Sequence, residues 1–216
     1  MIETIDLINQ FIQLACMAAA TALAARRAMR NRESWFFQLL AGAFGCYFLG
    51  DLYYTLHLLI LGDYAVGFSA ADLSYLGSYS FLLSIGLGLT GEWSNADKRA
   101  AKQYRRAALT APAVIILLHI LYVYLSGNPV NNALFCVPLA FLAYYTLLLF
   151  LTGGKDKKNE PSLRGYHWAV LLFLFVENMM FLTSSLGFEL LFIVFDIMMS
   201  VTVLLMVRAA GKGAAA

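Results

Sequence analysis

Long apolar segments separated by short polar ones run through the whole chain. A helix needs about 20 mostly apolar residues to cross about 30 Å of hydrocarbon, and seven segments meet that requirement. They lie at residues 7–25, 35–61, 71–91, 107–126, 131–152, 166–185 and 187–207. The pattern therefore predicts seven membrane-spanning helices within a single transmembrane domain, residues 1–216.

The stretch 107–154 contains no Asp, Glu, Lys or Arg and is too long for one span. Gly127 and Pro129 interrupt it, and because both residue types favour turns we expect a helical hairpin there. Unbroken apolar runs such as 113–118 disagree with the alternating strands of a transmembrane β-barrel. The fold class that we expect is therefore an all-α, seven-helix polytopic bundle.

The charged residues predict the orientation of this bundle. They make up 13% of the chain, about half the usual share, and 15 Lys and Arg against 13 Asp and Glu give a net charge of +2. Every cation follows span one, three, five or seven: Arg26, Arg27, Arg30 and Arg32; Lys98, Arg99, Lys102, Arg105 and Arg106; Lys155, Lys157, Lys158 and Arg164; Arg208 and Lys212. Because cytoplasmic loops carry the excess of Lys and Arg, we expect the N-terminus outside and the C-terminus in the cytoplasm. This places the chain in a cell membrane as a multi-pass protein.

The first span is expected to remain in the protein. Glu3 and Asp6 precede it without any cation, which is the opposite of a signal-peptide flank. The small residues at 18–25 would let a neighbouring helix approach closely. That helix could belong to a second copy of the chain, so a homo-oligomer is one possible state. The composition excludes a nucleic-acid-binding protein, and membrane lipids are the expected surroundings.

Three carboxylates, Asp51, Glu177 and Asp196, lie inside predicted spans. Placing a charge at mid-membrane costs at least about 2.5–3.5 kcal/mol, so such residues are functional candidates. No Lys or Arg lies within any span. The three groups must therefore be protonated, hydrated or hydrogen-bonded to neutral side chains.

Polar residues at a similar depth complete the candidate site. The ligand-binding or proton-relay candidates are Asp51, Tyr54, His119, Glu177, Asn178 and Asp196. The candidates for an extracytoplasmic entrance are His57, Asp72, Tyr75 and Glu189. We expect an outward-opening cup lined by spans two, four, six and seven.

Structural roles compete with these assignments. The carboxylates could hydrogen-bond neighbouring helices, His119 could be a packing residue, and Ser69 with Asp72 reads as a capping box that opens span three. The three cysteines form no CxxC or Cys/His cluster and read as packing residues. No span lysine suits retinal attachment, and no nucleotide, metal or serine-hydrolase motif appears. We therefore predict no cofactor, no metal and no catalytic residue, and the balance is against an enzyme.

Residues 49–54 read Leu-Gly-Asp-Leu-Tyr-Tyr, and residues 69–79 follow the spacing Ser-x-x-Asp-x-x-Tyr-x-x-x-Tyr. This segment resembles the membrane modules that precede diguanylate cyclase or histidine kinase domains in bacterial signalling proteins. The resemblance implies a helical bundle that senses membrane or extracytoplasmic cues. Residues 209–216 are too few for an output domain, so a cytoplasmic signalling partner is implied as well.

The chain length and the Gly50-Asp51 pair are also similar to the lysoplasmalogenase family. That resemblance implies eight spans and intramembrane acids in catalytic roles, which would fall on Asp51, Glu177 and Asp196. The cation pattern favours seven spans instead, so this similarity ranks second.

Three functions follow for the outer cup. The first is a sensor that binds a small neutral or cationic molecule, or lipid, and signals to a cytoplasmic partner through helix shifts. Acidic outer residues without cations disfavour anionic ligands. The alternatives are a proton-coupled transporter that uses the three carboxylates as a relay, and an intramembrane lipid hydrolase of the lysoplasmalogenase type.

Overall fold

A computed structural model describes residues 2–31, 34–62, 67–93, 95–127, 129–152 and 163–213. These residues form nine helices and no strand. The helices are α1 (Ile2–Arg30), α2 (Trp35–Leu61), α3 (Ala70–Gly91), α4 (Asn95–Lys102), α5 (Arg105–Ala108), α6 (Thr110–Ser126), α7 (Pro129–Thr152), α8 (Arg164–Ser185) and α9 (Glu189–Gly213).

Within the described residues, seven stretches of helix are long and apolar enough to cross a membrane, which confirms the predicted number. They are Leu7–Arg30, Trp35–Leu61, Ala70–Gly91, Arg105–Ser126, Pro129–Thr152, Arg164–Ser185 and Glu189–Lys212. The largest differences from the predicted bounds are at the ends of α1 and α9. There the helix continues past the apolar run because Ala, Arg and Lys are good helix formers.

The helix contacts form a closed ring. Its order is α1, α2, α3, α7, α8 and α9, and α9 packs against α1 to close it. Helix α6 packs on the outside of this ring, in the groove between α7 and α8. The interior of the ring is therefore enclosed by six helices, and α6 does not belong to them.

Glycines bring α2 and α3 close together. A Cβ atom on Gly50 would lie 2.7 Å from the Tyr75 ring, and one on Gly42 would lie 3.1 Å from the Phe81 ring. On α3, a Cβ atom on Gly77 would lie 3.3 Å from the sulfur of Cys46 on α2. Close approach of helix backbones through small residues is a common way to pack helices in lipid, where no hydrophobic force drives association.

The turns explain where the helices end. Gly127 adopts a left-handed conformation (φ 67°), and its N–H donates to the carbonyl of Val123, which confirms the predicted break between α6 and α7. Ser69 and Asp72 form the predicted capping box at the start of α3. Asn128, which stands between Gly127 and Pro129, and Asp63, which follows Gly62, lie outside the described residues.

The two ends of the bundle differ in charge. The basic end comprises the end of α1, the region from the end of α3 to the start of α6, the start of α8 and the end of α9. Every Lys and Arg that the structure describes lies there. Four further cations, Arg32, Lys155, Lys157 and Lys158, lie outside the described residues. The opposite end, with the turns at Gly62, Gly127 and Gly187, we call the cation-free end.

Candidate ligand-binding cavity

A cavity of about 230 Å³ lies inside the ring, in the half of the bundle toward the cation-free end. Five of the six ring helices contribute two or more side chains to it, and α7 contributes one. The lining residues are Gln10, Gln13, Tyr47, Asp51, Tyr54, Asp72, Tyr75, Phe135, Glu177, Met180, Phe181, Ser184, Phe192 and Asp196. All three intramembrane carboxylates thus meet at one cavity.

Glu177 is held by two tyrosines from across the ring. The Tyr47 hydroxyl donates to Oε2 of Glu177 at 2.9 Å, and the Tyr79 hydroxyl donates to Oε1. Glu177 is only 6% exposed. Since Tyr47, Tyr79 and Glu177 lie on α2, α3 and α8, this carboxyl group fastens three helices at their centre.

Asp51 has one bonded oxygen and one free oxygen. The Tyr75 hydroxyl donates to Oδ1 at 2.8 Å, and the tight fit of the Tyr75 ring against Gly50 places that hydroxyl. Asp51 is 2% exposed, and its Oδ2 is buried with no hydrogen-bond partner among the described residues. A buried acceptor without a donor costs free energy, and a hydrogen-bond donor bound in the cavity would remove that cost.

Asp196 connects the two helices that close the ring. Asn9 of α1 donates its side-chain N–H to Oδ2 of Asp196 on α9. Both residues are buried, and Gln13, one turn further along α1, is buried at the cavity as well. The α1–α9 contact is therefore polar at the level of the cavity.

The lining combines polar and apolar side chains. Among the polar ones, the Tyr75 ring lies 4.8 Å from the Tyr47 ring and 6.1 Å from the Tyr54 ring, nearly parallel to the latter at 20°. The apolar ones are Phe135, Met180, Phe181 and Phe192. No Lys or Arg is among the lining residues that the structure describes.

The carboxyl groups at the cavity lie close to one another. Asp51 lies close enough to Asp196 and Glu177 for electrostatic repulsion when they are ionised. Within the described residues, no group of three His, Cys, Asp or Glu side chains has the arrangement needed to hold a metal ion. The arrangement instead suits hydrogen-bond donors and positively charged groups.

The structure brings six of the predicted site residues together at this cavity: Asp51, Tyr54, Asp72, Tyr75, Glu177 and Asp196. Asp72 has two roles, because it lines the cavity and its carboxylate also accepts from the Ser69 N–H at 2.7 Å in the capping box. The polar end of α3 thus forms part of the cavity rim.

His119 and Asn178 are not among the lining residues described. Nδ1 of His119 lies 3.0 Å from the Ile115 carbonyl of its own helix. The side-chain N–H of Asn178 donates to the Leu174 carbonyl at 2.7 Å, and the main-chain carbonyl of Asn178 accepts from the Tyr122 hydroxyl at 2.6 Å. Both residues belong to the contact between α6 and α8.

The helices that line the cavity differ from those expected for the cup. Spans two, six and seven line the cavity as predicted, but span four, which is α6, contributes none of the described lining residues. Helices α1, α3 and α7 take part instead. The physical reason is that α6 packs outside the ring, behind α7 and α8.

The remaining entrance candidates lie away from the described lining. The His57 ring is 5.9 Å from the Tyr53 ring on the same helix. Glu189 is exposed in the first turn of α9, where an acidic side chain favours the positive end of the helix dipole. Neither is among the residues that line the cavity.

Sequence reasoning missed Asn9, Gln13 and Tyr79 as site residues. Asn9 and Gln13 are four residues apart on α1 and so share one helix face, an amide stripe in an otherwise apolar span that could have been noticed. Tyr79 stands in the spacing that follows Ser69 and is one turn from Tyr75. Its link to Glu177 joins residues 98 positions apart, and no local pattern shows such a contact.

The fold and the cavity together define a class, a multi-pass seven-helix membrane protein with a carboxylate- and tyrosine-lined interior. No protein-family model, no curated protein and no solved structure shows significant similarity to this chain. The resemblances to signalling membrane modules and to lysoplasmalogenases stay predictions, and the functional argument depends on the geometry of the cavity.

Proposed function

We propose that this protein is a sensor of the cell membrane that binds a small molecule in the cavity and signals to a cytoplasmic partner. The observation that carries the proposal is the meeting of Asp51, Glu177 and Asp196 at one cavity, rather than at three separate helix contacts. By the positive-inside rule, the basic end faces the cytoplasm. The cavity then lies in the outer half of the membrane.

The hydrogen bonds around the cavity supply a route for the signal. They join α2, α3 and α8 at Glu177 and join α1 with α9 at Asp196. At the basic end, the Arg27 guanidinium on α1 donates to the Val207 carbonyl on α9 and lies against Gly211. A ligand that binds one arrangement of these helices better than another would shift their relative positions at the basic end.

Glu177 supports binding better than catalysis. Both of its oxygens accept hydrogen bonds from tyrosines, whereas a general base needs an oxygen within reach of the proton that it removes. A lipid hydrolase would therefore have to rely on the other two carboxylates.

A proton-coupled transporter is the second candidate. The observation that favours it is a pair of neighbouring hydrogen bonds, one from Tyr75 to Asp51 and one from Tyr47 to Glu177. The rings of the two tyrosines are 4.8 Å apart. Intramembrane carboxylates and hydroxyls in series are typical of proton pathways. A transporter must also open its site to both sides of the membrane, and this requirement separates the two candidates.

Cysteine labelling tests the side from which the cavity opens. Ser184 lines the cavity and is exposed at the end of α8. The variant Ser184→Cys is made in a protein whose Cys16, Cys46 and Cys136 are replaced by alanine. Its labelling then reports from which side of the membrane a reagent reaches the cavity. A membrane-impermeant maleimide should label this cysteine in intact cells and not in inverted vesicles. Glu189→Cys and Lys98→Cys serve as controls for the two ends.

Labelling of Ser184→Cys from both sides would support the transporter. Labelling in inverted vesicles alone would overturn the orientation and with it the sensor proposal.

A genetic experiment tests signalling itself. Deletion of the gene, or a chromosomal Asp51→Asn substitution, should change protein phosphorylation or cyclic dinucleotide levels in the cell. Glu189→Gln is the matched control, because it removes an exposed carboxylate outside the described lining. Unchanged levels in the deletion strain would contradict the sensor proposal.

A further inference from the structure

The free oxygen of Asp51 points to the chemistry of the ligand. Oδ2 is buried and has no donor among the described residues, although Asp51 lines a cavity with room for a guest. The other two carboxyl groups at the cavity add negative potential when they are ionised, and no cation among the described lining residues offsets it. A positively charged hydrogen-bond donor would satisfy Oδ2 and reduce the repulsion among the three acids.

The tyrosines next to Asp51 offer a second recognition element. Tyr47, Tyr54 and Tyr75 line the same side of the cavity, and their rings lie 4.8 and 6.1 Å apart. Aromatic faces attract ammonium groups within about 6 Å of the ring centroid. Carboxylate and aromatic groups together are therefore suited to an ammonium ion.

We infer that the cavity binds a small alkylammonium ion, whose N–H groups donate to Oδ2 of Asp51 beside the three tyrosines and whose alkyl chain packs against the apolar side chains of the lining. This inference rests on the proposed function, since it names the ligand class for the same cavity. Phe135, Met180, Phe181 and Phe192 provide the surface for the chain. An alkyl carboxylate would instead place a fourth negative charge among the acids.

The size of the cavity sets the size of the ligand. A dry cavity of about 150 Å³ accepts benzene, and this one measures about 230 Å³. It therefore accommodates a short-chain amine and not a whole phospholipid. n-Butylammonium is a suitable probe because it is charged at neutral pH and fits within that volume.

Binding to the purified full chain in nanodiscs tests the inference, with empty nanodiscs as the blank. Titration calorimetry compares n-butylammonium with 1-butanol and butyrate, which have the same chain and a neutral or negative head. The ammonium should bind about tenfold or more tightly than the alcohol, because a charge-assisted hydrogen bond is lost in the alcohol. Butyrate should not bind.

Two substitutions locate the ammonium group. Asp51→Asn should weaken n-butylammonium about tenfold or more and leave 1-butanol nearly unchanged, whereas Glu189→Gln should change neither. If Asp51→Asn does not fold, Tyr54→Leu serves instead and should weaken the ammonium more than the alcohol by removing one aromatic face.

The outcomes distinguish this inference from the sensor proposal. Equal affinities for n-butylammonium and 1-butanol, no binding of the amine, or an amine affinity that is unchanged in Asp51→Asn would each overturn the inference, whatever the signalling experiment shows. Amine binding that depends on Asp51, in a protein whose deletion leaves signalling unchanged, would support the inference and contradict the sensor.

Discussion

At the scale of single residues, hydrogen bonding explains how carboxylates remain inside an apolar bundle. Glu177 has two tyrosine donors, Asp51 has one, and Asp196 accepts from an amide. Neutral donors compensate part of the loss of water that burial imposes. Of the oxygens of these three carboxyl groups, Oδ2 of Asp51 is the buried one that has no donor among the described residues.

Gly50 is expected to control the position of Tyr75. In Gly50→Ala the new methyl group would lie 2.7 Å from the Tyr75 ring, so the ring must move and its bond to Asp51 weakens. We expect a loss of about 1–3 kcal/mol in the free energy of unfolding, measured by denaturant titration in detergent.

Gly45→Ala on the same helix is the control. Its methyl group would meet Thr21 at 3.8 Å, an ordinary contact, so stability should be unchanged or higher, since Ala is the better helix former. Equal effects of the two substitutions would show that close packing at Gly50 does not position Tyr75.

Tyr79 is expected to stabilise the protein through its hydroxyl group. Tyr79→Phe removes a donor to Glu177 and leaves a buried oxygen without it, which should cost about 1–2 kcal/mol. Tyr124→Phe is the control, because Tyr124 is 85% exposed, and it should shift the unfolding midpoint little. A Tyr79→Phe protein as stable as the control would mean that the bond contributes nothing net.

At the scale of helices, α1 and α9 form a pair that is tied at both ends. Asn9 and Asp196 connect them at the cavity, and Arg27 connects them at the basic end. Gly211 provides the space for the guanidinium group, which also lies 5.8 Å from the centre of the Phe37 ring of α2. Arg27, which lies on α1, thus contacts two other helices, α2 and α9.

Removal of this contact should be costly. Arg27→Ala eliminates a charged hydrogen bond and an interaction with an aromatic face, and we expect a loss of about 1.5–3 kcal/mol in the free energy of unfolding. Arg26→Ala is a control from the same turn, because Arg26 is exposed, and it should change stability by less than about 0.5 kcal/mol. If both variants lose the same stability, net charge and not the α1–α9 contact is responsible.

The positions of the helices were predictable from the sequence, because local features determine where each helix begins and ends. A run of apolar residues, a glycine at 127 and a capping box at 69–72 each act within one or two turns of helix. The neighbours of each helix were not predictable, because lipid and protein interior are both apolar. On span four, His119 and Tyr122 share the buried face, but nothing in the sequence indicates which helices that face contacts.

The same limit explains the candidate site. Asp51, Glu177 and Asp196 attract notice because a charge in a span is unusual. Asn9 and Gln13 form an amide stripe near the start of the first span. The contact of Asn9 with Asp196, and of Gln13 with the cavity, depends on the α1–α9 pairing. His119 is as unusual in sequence as the carboxylates, yet it belongs to a helix outside the ring.

At the scale of the whole molecule, the ring separates residues that shape the cavity from residues that only hold α6 in place. Two tyrosines test this separation with the same chemical change. Tyr79 donates to Glu177 inside the ring, and Tyr122 donates to the Asn178 carbonyl at the contact of α6 with α8. Tyr79→Phe and Tyr122→Phe should both lower the unfolding midpoint.

Only the substitution inside the ring should reach the cavity. We expect Tyr79→Phe to alter the labelling rate of Ser184→Cys and Tyr122→Phe to leave that rate within about twofold. Tyr79 bonds to Glu177, which lines the cavity, whereas Tyr122 bonds to Asn178, which is not among the described lining residues. Equal changes in labelling rate would show that α6 is coupled to the cavity as strongly as the ring helices are.

The closure of the ring between α1 and α9 has a consequence for biosynthesis. Helices emerge from the ribosome in order, so Asp51 can meet Tyr75 as soon as α3 follows α2 into the membrane, whereas Asn9 must wait for Asp196 on the last described helix. Glu177 likewise arrives long after its two tyrosines. A nascent chain that stops before α9 has an amide stripe on α1 without its acid, a recognisable signal of unfinished assembly for membrane quality control.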